Sequence, residues 1–404
     1  MRSIDVLIIG AGQAGLAASR CLADLGIDHL LVERGRTAER WRSERWDSLR
    51  LLTPNWMSRL PGWSYGGADP DGYMSAREVA GYLDGYARSF SAPVMDGTEV
   101  RSVSYEGGGY KGGSYVVDTS RGNWRARAVV VATGECARTA VPDFATGVGA
   151  GVTQVTADRY RNPGQLPPGG VLVIGASATG VQLAEEIHAS GRPVTLSVGR
   201  HVRIPRRWRG RDVMWWLDRS GILDEPVAET GRDRLPPSLQ LVGRHDHRDI
   251  DLGTLAAMGV RLVGGADAAA DGVVRFRDDL ARTMDSAQAS LERLLSRLGA
   301  GPADIPRPLP VPGTPTRLRL RAEGIASVVW ATGYRRDYPW LRVPVLDRAG
   351  EIIHRNGVTP SPGLYVLGLK YLRRRRSSFI DGVGADARFI ARAIGRQLAG
   401  AVAA

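Results

Sequence analysis

Apolar and polar positions divide the start of the chain into a strand, a turn and a helix. Ile4 to Ile9 is apolar apart from Asp5 and passes straight into Gly10-Ala11-Gly12-Gln13-Ala14-Gly15. So short and interrupted a run does not make the apolar core of a signal peptide; it fits a buried parallel strand. Leu16, Ala17, Cys21 and Leu22 then recur on one helical face as far as Gly26, and His29 to Val32 forms a second strand that ends on Glu33. The arrangement is repeated later in the chain. Gly170 to Ile174 is apolar, Gly175-Ala-Ser-Ala-Thr-Gly180 follows, a helix runs from Val181 towards Ala189 and Gly191, and Val194 to Val198 is again a strand. Two further apolar strands, beginning at Val129 and Val328, end in Ala-Thr-Gly turns, Ala132-Thr133-Gly134 and Ala331-Thr332-Gly333. Asp278 to Leu298 carries an amphipathic stripe of Leu280, Met284, Ala287, Leu291, Leu294 and Leu298, ended by Gly299, Gly301 and Pro302. Domain packing is the expected role of that helix, with a cap over a cleft or a dimer contact as alternatives. The proline-rich stretch Pro306 to Pro315 leads back from it.

Strand, glycine turn, helix, strand and terminal acid in that order describe a dinucleotide-binding unit. Gly10 permits the tight turn, Gly12 lets backbone approach a pyrophosphate, and Gly15 lets helix and strand pack closely. The helix N-terminus offers unpaired N–H groups to the anion, and the Glu33 carboxylate would accept hydrogen bonds from an adenosine ribose. The second unit ends instead on Gly199, Arg200, His201 and Arg203. A cationic end suits a ribose bearing a 2′-phosphate, so NADPH is expected over NADH; an Arg200 that merely faces solvent is the alternative. Two such units imply two dinucleotides, and FAD with a nicotinamide donor is the usual chemical pairing. The expected fold is α/β: two Rossmann-like domains, with an NAD(P)H-binding domain (residues 161–325) inserted into a discontinuous FAD-binding domain (1–160 and 326–404). Pro163, Pro167 and Pro168 mark the way in.

Composition adds exclusions. The 404 residues hold 43% hydrophobic and 24% charged side chains, which is ordinary for a globular chain and not for a disordered one. No apolar run approaches the ~18–20 residues of a membrane-spanning helix, so no membrane partner is expected. The two cysteines, Cys21 and Cys136, are too few for a disulfide framework, and a cytoplasmic setting is expected. With no C-x-x-C, thioredoxin-reductase-type disulfide chemistry is disfavoured, although Cys136 beside the first Ala-Thr-Gly turn keeps a redox role open. The net charge of +12 points first to nucleic acid. Only Lys111 and Lys370 are lysines among 54 basic residues, so the excess is a compositional skew towards arginine. No aromatic-interleaved basic motif accompanies it, and nucleic acid is not an expected partner. His245 and His247 lack a third ligand nearby, so no metal is expected.

Taken with W-D-S-L-R-L-L-T-P at Trp46 to Pro54, Y-R-N-P at Tyr160 to Pro163 and S-S-F-I-D-G-V-G-A-D-A at Ser377 to Ala387, the chain resembles the flavin-containing monooxygenases, particularly their bacterial and YUCCA-like branches. The resemblance covers nearly the whole chain. It implies that Gly10, Gly12, Ala14, Gly15, Glu33 and Arg34 hold FAD. Trp41, Arg42 and Leu51 to Thr53 would lie near its pyrophosphate or ring, and Val100 near the adenine. Gly175, Ser177, Thr179, Gly180, Arg200 and His201 would face NADPH. Both Ala-Thr-Gly turns would pass close to cofactor, and Ile380, Asp381 and Gly382 would begin a helix aimed at the flavin pyrimidine edge. The implied reaction is NADPH-dependent insertion of one atom of dioxygen into a small molecule, by N- or S-oxygenation or a related step, through a flavin hydroperoxide.

Departures from the family pattern leave competing readings in place. Thr156 stands where a histidine is usual, Ser177 where glycine is common, and Leu52 where animal members carry asparagine; Tyr160 is kept, which disfavours the Baeyer–Villiger subclass. An NAD(P)H-dependent reductase or dehydrogenase without oxygen transfer therefore competes, with a non-catalytic redox partner third. Trp46, Asn55, Thr156 and Tyr160 are the catalytic candidates. Trp41, Trp46, Trp56 and Trp63 either wall a dry flavin pocket or simply pack. The basic runs Arg203 to Asp212 and Arg373 to Arg376 are expected near cofactor phosphate, an anionic substrate or the substrate entrance, with a solvated basic face as the alternative for the first. A homodimer is compatible with the sequence.

Overall fold

A computed structural model describes residues 1–107, 113–226, 238–310 and 313–400. Two residues of the proline-rich return, 311 and 312, lie outside that set. The helices are α1 (Gln13–Ala23), α2 (Glu39–Ser43), α3 (Ala76–Ser89), α4 (Ala178–Ala189), α5 (Val213–Arg219), α6 (Leu252–Met258), α7 (Leu280–Arg297) and α8 (Ile380–Gly400).

The first sheet runs in the order Val94–Met95, His29–Val32, Arg2–Ile9, Gly122–Val131, Ser114–Thr119, Val100–Glu106, with Leu364–Val366 also paired to Gly122–Val131. Its parallel core is apolar on both faces and lies in one cluster with residues of α1, α3, α8 and the 338–372 segment, with α1 and α8 packed against each other. Register matters most at the strand ends. Ile9 lies opposite both Val32 and Val131, so Gly10, Glu33 and Ala132 leave the sheet side by side at its C-terminal edge.

The second sheet repeats the design. Its order is Thr153–Thr156, Ile325–Trp330, Gly170–Ile174, Val194–Ser197, Arg261–Val263, all parallel. Ile174 pairs with Trp330 and Ser197, which brings Gly175, Ala331 and Val198 together at the matching edge. A three-stranded antiparallel sheet, Ala266–Ala270, Val273–Phe276 and Arg317–Arg319, covers one face.

Pairing moves the domain seams. Thr153–Thr156 and Ile325–Trp330 are neighbours in the second sheet, so that unit begins before residue 161 and ends after 325, in place of the boundaries expected from sequence. The physical reason is edge coverage: Ile325–Trp330 is a central strand and Thr153–Thr156 shields its outer side. The two connections between units pair with each other, Arg138–Thr139 against Tyr334–Arg335, as an antiparallel ribbon. Among the described residues no helix is long and apolar enough to cross a membrane.

Candidate active site

Each glycine turn separates glycines needed by the protein from glycines that leave room for something else. Gly10 has φ +106°, and a Cβ there would sit 2.7 Å from the Ala132 carbonyl oxygen. A Cβ on Gly15 would overlap the Gly10 carbonyl oxygen. Gly175 (φ +110°) meets Ala331 and Gly180 meets Gly175 in the same way. The backbone of each Ala-Thr-Gly turn therefore lies against the first glycine of a glycine turn, too close for a side chain there. Gly12 differs, since a Cβ there would touch no protein atom within 4 Å. Internal packing does not require glycine at this position, and the open space lies over the N-terminus of α1.

Residues around this turn fit a dinucleotide. The Glu33 carboxylate is oriented by the Ala11 and Gly35 N–H groups, each donating at 2.9 Å, and two bonds leave acceptor capacity for ribose hydroxyls. Neither Gly12 nor Ser177 caps its helix with a side chain, so the first-turn N–H groups of α1 and α4 keep their affinity for an anion. Ser177 occupies the position of Gly12 in the second turn and adds a hydroxyl there; Thr179 lies half-buried in the same first turn. Ala14 is buried in α1 beneath Gly368, whose Cβ would stand 2.6 Å from that of Ala14. Thr332 donates its hydroxyl to the Ala140 carbonyl at 2.7 Å, tying the second Ala-Thr-Gly turn to the neighbouring connection. Thr133 and Gly134 are half-buried, and Gly134 (φ +73°) and Gly333 (φ +87°) take the left-handed conformation as each connection departs.

A cavity of about 580 Å³ opens beside the first turn. Gln13 of α1, Trp41, Leu51, Thr53 and Ile380 are among its lining residues. Trp41 Nε1–H donates to Gln13 Oε1 at 3.4 Å, and Arg45 stacks 5.3 Å from the Trp41 ring. The opposite wall comes from the second unit: Met214 and Leu217 of α5, Leu241, and Arg293 and Leu294 of α7. Thus α7 does two jobs. Leu280, Met284, Ala287, Leu291 and Leu295 are buried on its core face, at about 1.5–3 kcal/mol for a fully buried leucine. Ser290, Arg293, Leu294 and Arg297 follow one another at i, i+3, i+4 and i+7 and face the cavity.

Other sequence-predicted residues stand elsewhere. Trp46 and Tyr160 are buried in the core of the second unit, and the Tyr160 hydroxyl donates to Glu186 at 3.4 Å. Burial and the Glu186 charge push the Tyr160 hydroxyl far above its usual pKa, and burial raises Glu186 as well. Asn55 is pinned by its Nδ2–H to the Asp69 carbonyl at 2.9 Å and by the Met74 N–H to its Oδ1 at 2.7 Å. Thr156 ends its strand half-buried, its carbonyl accepting from the Arg159 and Tyr160 N–H groups. None of these four catalytic candidates is among the described residues lining the cavity. Of the four clustered tryptophans only Trp41 lines it; Trp63 packs with Tyr82 and Tyr86, because its indole fits the first core.

Several cations are committed to carboxylates instead of waiting for phosphate. Arg42 is paired with Asp84 on α3, and exposed Arg34 approaches Glu44 at 4.0 Å. The Arg373–Arg376 run is neutralised: Arg373 by Asp386 at 3.4 Å, Arg374 by Asp224 at 3.1 Å, Arg375 by Glu225 at 3.9 Å, and Arg376 by Asp218, Asp224 and Asp381. This corrects the expectation of a free anion-attracting patch, since burial of Arg376 and Asp386 demands counter-charges. Asp381 is also held by Arg59, while Gly382 gives the Arg376 carbonyl its room. Val100 packs on the first core. Arg200 is exposed, whereas His201 is buried, its Nδ1 3.1 Å from the Gly199 carbonyl, and burial lowers its pKa towards the neutral form.

Two features escaped the sequence reading. Tyr371 lines the cavity with φ +54°, a conformation that costs a non-glycine residue about 1–2 kcal/mol and clusters at functional sites. Arg206, wholly buried, crosses from the second unit to donate to the Leu52 carbonyl at 2.7 Å. Only its place in the Arg203–Asp212 run hinted at it. No group of three or more metal-ligating side chains occurs among the described residues.

Residues 7–209 match the family model for pyridine nucleotide-disulphide oxidoreductases. The chain is 35% identical over 391 residues to an uncharacterized CzcO-like oxidoreductase of Geobacillus kaustophilus, covering 96% of this chain and 97% of that one. It is 30% identical over 193 residues, 45% of this chain and 44% of the relative, to a probable indole-3-pyruvate monooxygenase, YUCCA1, of Arabidopsis thaliana. Its fold is similar to that of a flavin-containing monooxygenase from Stenotrophomonas maltophilia, with a TM-score of 0.70, 21% identity, and coverage of 98% and 100%.

Proposed function

As the chain belongs to the pyridine nucleotide-disulphide oxidoreductase family, among its flavin-monooxygenase-like members, we propose that it is an FAD-containing, NADPH-dependent monooxygenase of small organic molecules. The observation that carries this reading is the register of the two sheets. It delivers two glycine turns to equivalent edges, with one largely apolar cavity reaching the first. Bound FAD would supply the redox chemistry, accepting reducing equivalents from NADPH and delivering them to dioxygen.

The protein's part is binding, orientation and exclusion of water. Gly10, Gly12, Gly15 and the N-terminus of α1 would receive the FAD pyrophosphate, and Glu33 its adenosine ribose. Gly175, Ser177, Gly180 and α4 would do the same for NADPH, with exposed Arg200 at the strand end nearest a 2′-phosphate. Trp41, Leu51, Leu52 and Ile380 would keep the reacting region dry, which limits wasteful release of hydrogen peroxide.

The test is a stoichiometry. The FAD-loaded protein is reduced anaerobically with NADPH and then mixed with isotopically labelled dioxygen and a panel of candidate substrates. Label in an organic product supports oxygenation. Full recovery of the reducing equivalents as hydrogen peroxide across the panel refutes it in favour of a reductase, and failure of NADPH to reduce the flavin refutes both.

A further inference from the structure

The geometry points to an amphipathic monocarboxylate, an aliphatic chain ending in one acid group, as the ligand of the cavity, with Arg293 as the residue that anchors its carboxylate. This rests on the proposed oxygenase function and names the substrate class of the same site.

The wall chemistry comes first. Leu217, Leu223, Leu239, Leu241, Leu294 and Phe379 line the cavity as parts of one apolar cluster, separate from the first core on which Trp41 packs. Aliphatic walls of this kind reward contact area and offer few hydrogen bonds, so they select a chain over a polar body. The space of about 580 Å³ includes the end beside Gln13 and Trp41 that bound FAD would enter, so the chain takes only the leucine-lined remainder.

Charge then distinguishes one kind of chain. The described lining residues include four cations, Arg293, Arg297, Lys370 and Arg375, and no carboxylate. Two of the cations are already answered, because Glu225 pairs with both Arg297 and Arg375. Arg293 has no ion pair among the described residues. Its guanidinium donates to Ser290 Oγ at 2.9 Å, and that hydroxyl donates in turn to the Ser286 carbonyl at 2.8 Å. One turn of α7 therefore orients the guanidinium without neutralising it, leaving donors for a carboxylate. Leu294 is next along the helix, so the anchor adjoins the apolar wall. A cationic amine entering this cavity would meet uncompensated like charge.

Isothermal titration of the FAD-loaded protein, without NADPH so that no turnover occurs, tests this directly. Probes are hexanoate, octanoate, decanoate, octanol and octylamine. Octanoate should bind saturably and more tightly than octanol or octylamine, with affinity rising about three- to fourfold per added methylene. Arg293→Ala should weaken octanoate about tenfold or more and leave octanol unchanged, and Arg293→Glu should turn the preference towards octylamine. Arg297→Ala, whose cation already has a partner, should change octanoate affinity by less than about threefold. Octylamine or octanol binding as tightly as octanoate overturns the proposal. So does an Arg293→Ala protein with unchanged octanoate affinity, or the absence of saturable binding for the whole acid series. These binding results are independent of the oxygen stoichiometry: peroxide release with intact octanoate binding refutes the oxygenase alone, and labelled product with an amine preference refutes the ligand class alone.

Discussion

Arg206→Met should separate the two units at a single point. The Arg206 side chain is 1% exposed and its partner Asp212 13%. One arm of the guanidinium donates to the Leu52 carbonyl at 2.7 Å, the other pairs with Asp212, and the whole group lies 5.0 Å from the Tyr73 ring centroid. Methionine fills much of the volume but leaves the Leu52 carbonyl and the Asp212 carboxylate without their cation. Breaking a buried pair in this way costs about 3–5 kcal/mol. Asp212 retains the Tyr73 hydroxyl at 2.7 Å and the Met214 N–H at 2.8 Å, which places the expected loss near the lower end, about 3 kcal/mol. The assay is urea unfolding followed by tryptophan fluorescence, with the midpoint falling at constant slope. Arg207→Met, at an exposed neighbour, is the control and should stay within about 0.5 kcal/mol of the parent. Because Leu52 sits between Leu51 and Thr53 in the cavity wall, the variant should also retain FAD less well on gel filtration. A midpoint shift no larger than that of Arg207→Met would refute the argument that Arg206 carries this seam.

Gly12→Ala should fold with a stability within about 1 kcal/mol of the parent yet retain much less FAD, since its methyl would meet no protein atom; equal FAD content in the purified variant would contradict a ligand role for that space. Gly180→Ala, whose methyl would overlap the Gly175 carbonyl oxygen, should instead unfold the second unit earlier by at least about 2 kcal/mol, read as a lower urea midpoint. His29 is buried between the Ser19 hydroxyl and the Ile27 carbonyl, each 2.8 Å away, and burial lowers its pKa. The unfolded chain therefore takes up this proton first, so stability from neutral His29 is complete above the ordinary imidazole value of about 6.5 and is lost as pH falls through it; His29→Gln should flatten the decline in melting temperature between neutral and mildly acidic pH, and an unchanged slope would remove His29 from the account. Arg200→Ala should raise KM for NADPH and leave KM for NADH nearly unchanged, and an equal rise for both would contradict the phosphate role.

Local rules carried much of the fold into view. The strand at Gly170–Ile174 and the helix at Leu280–Arg297 stand within a residue or two of the spans expected from apolar periodicity. Both glycine turns were equally legible, because Gly15 and Gly180 are held to glycine by the carbonyls of Gly10 and Gly175 within the same turn, whereas the contacts of Gly10 with Ala132 and of Gly175 with Ala331 come only with the sheet. The seams were not legible. Which sheet Thr153–Thr156 joins depends on pairing with Ile325–Trp330, far away in the chain. The arginines were the least legible of all. Arg42, Arg206, Arg293 and Arg376 look alike in sequence, yet they become an ion pair with Asp84, a bridge to a carbonyl, a cation at a cavity with no ion pair among the described residues, and the hub of three carboxylates.

The sequence by itself determined that two strand–turn–helix units would form, because periodicity and glycine placement act over a few neighbouring residues. Tertiary structure decided which charges remain available and where the cavity lies. Net charge belongs to the whole chain, whereas the electrostatics of a site depend on which carboxylates folding brings beside each guanidinium. The cavity walls come from segments hundreds of residues apart, Leu51 and Tyr371 among them, and they meet only when both sheets and the connections between them are in place.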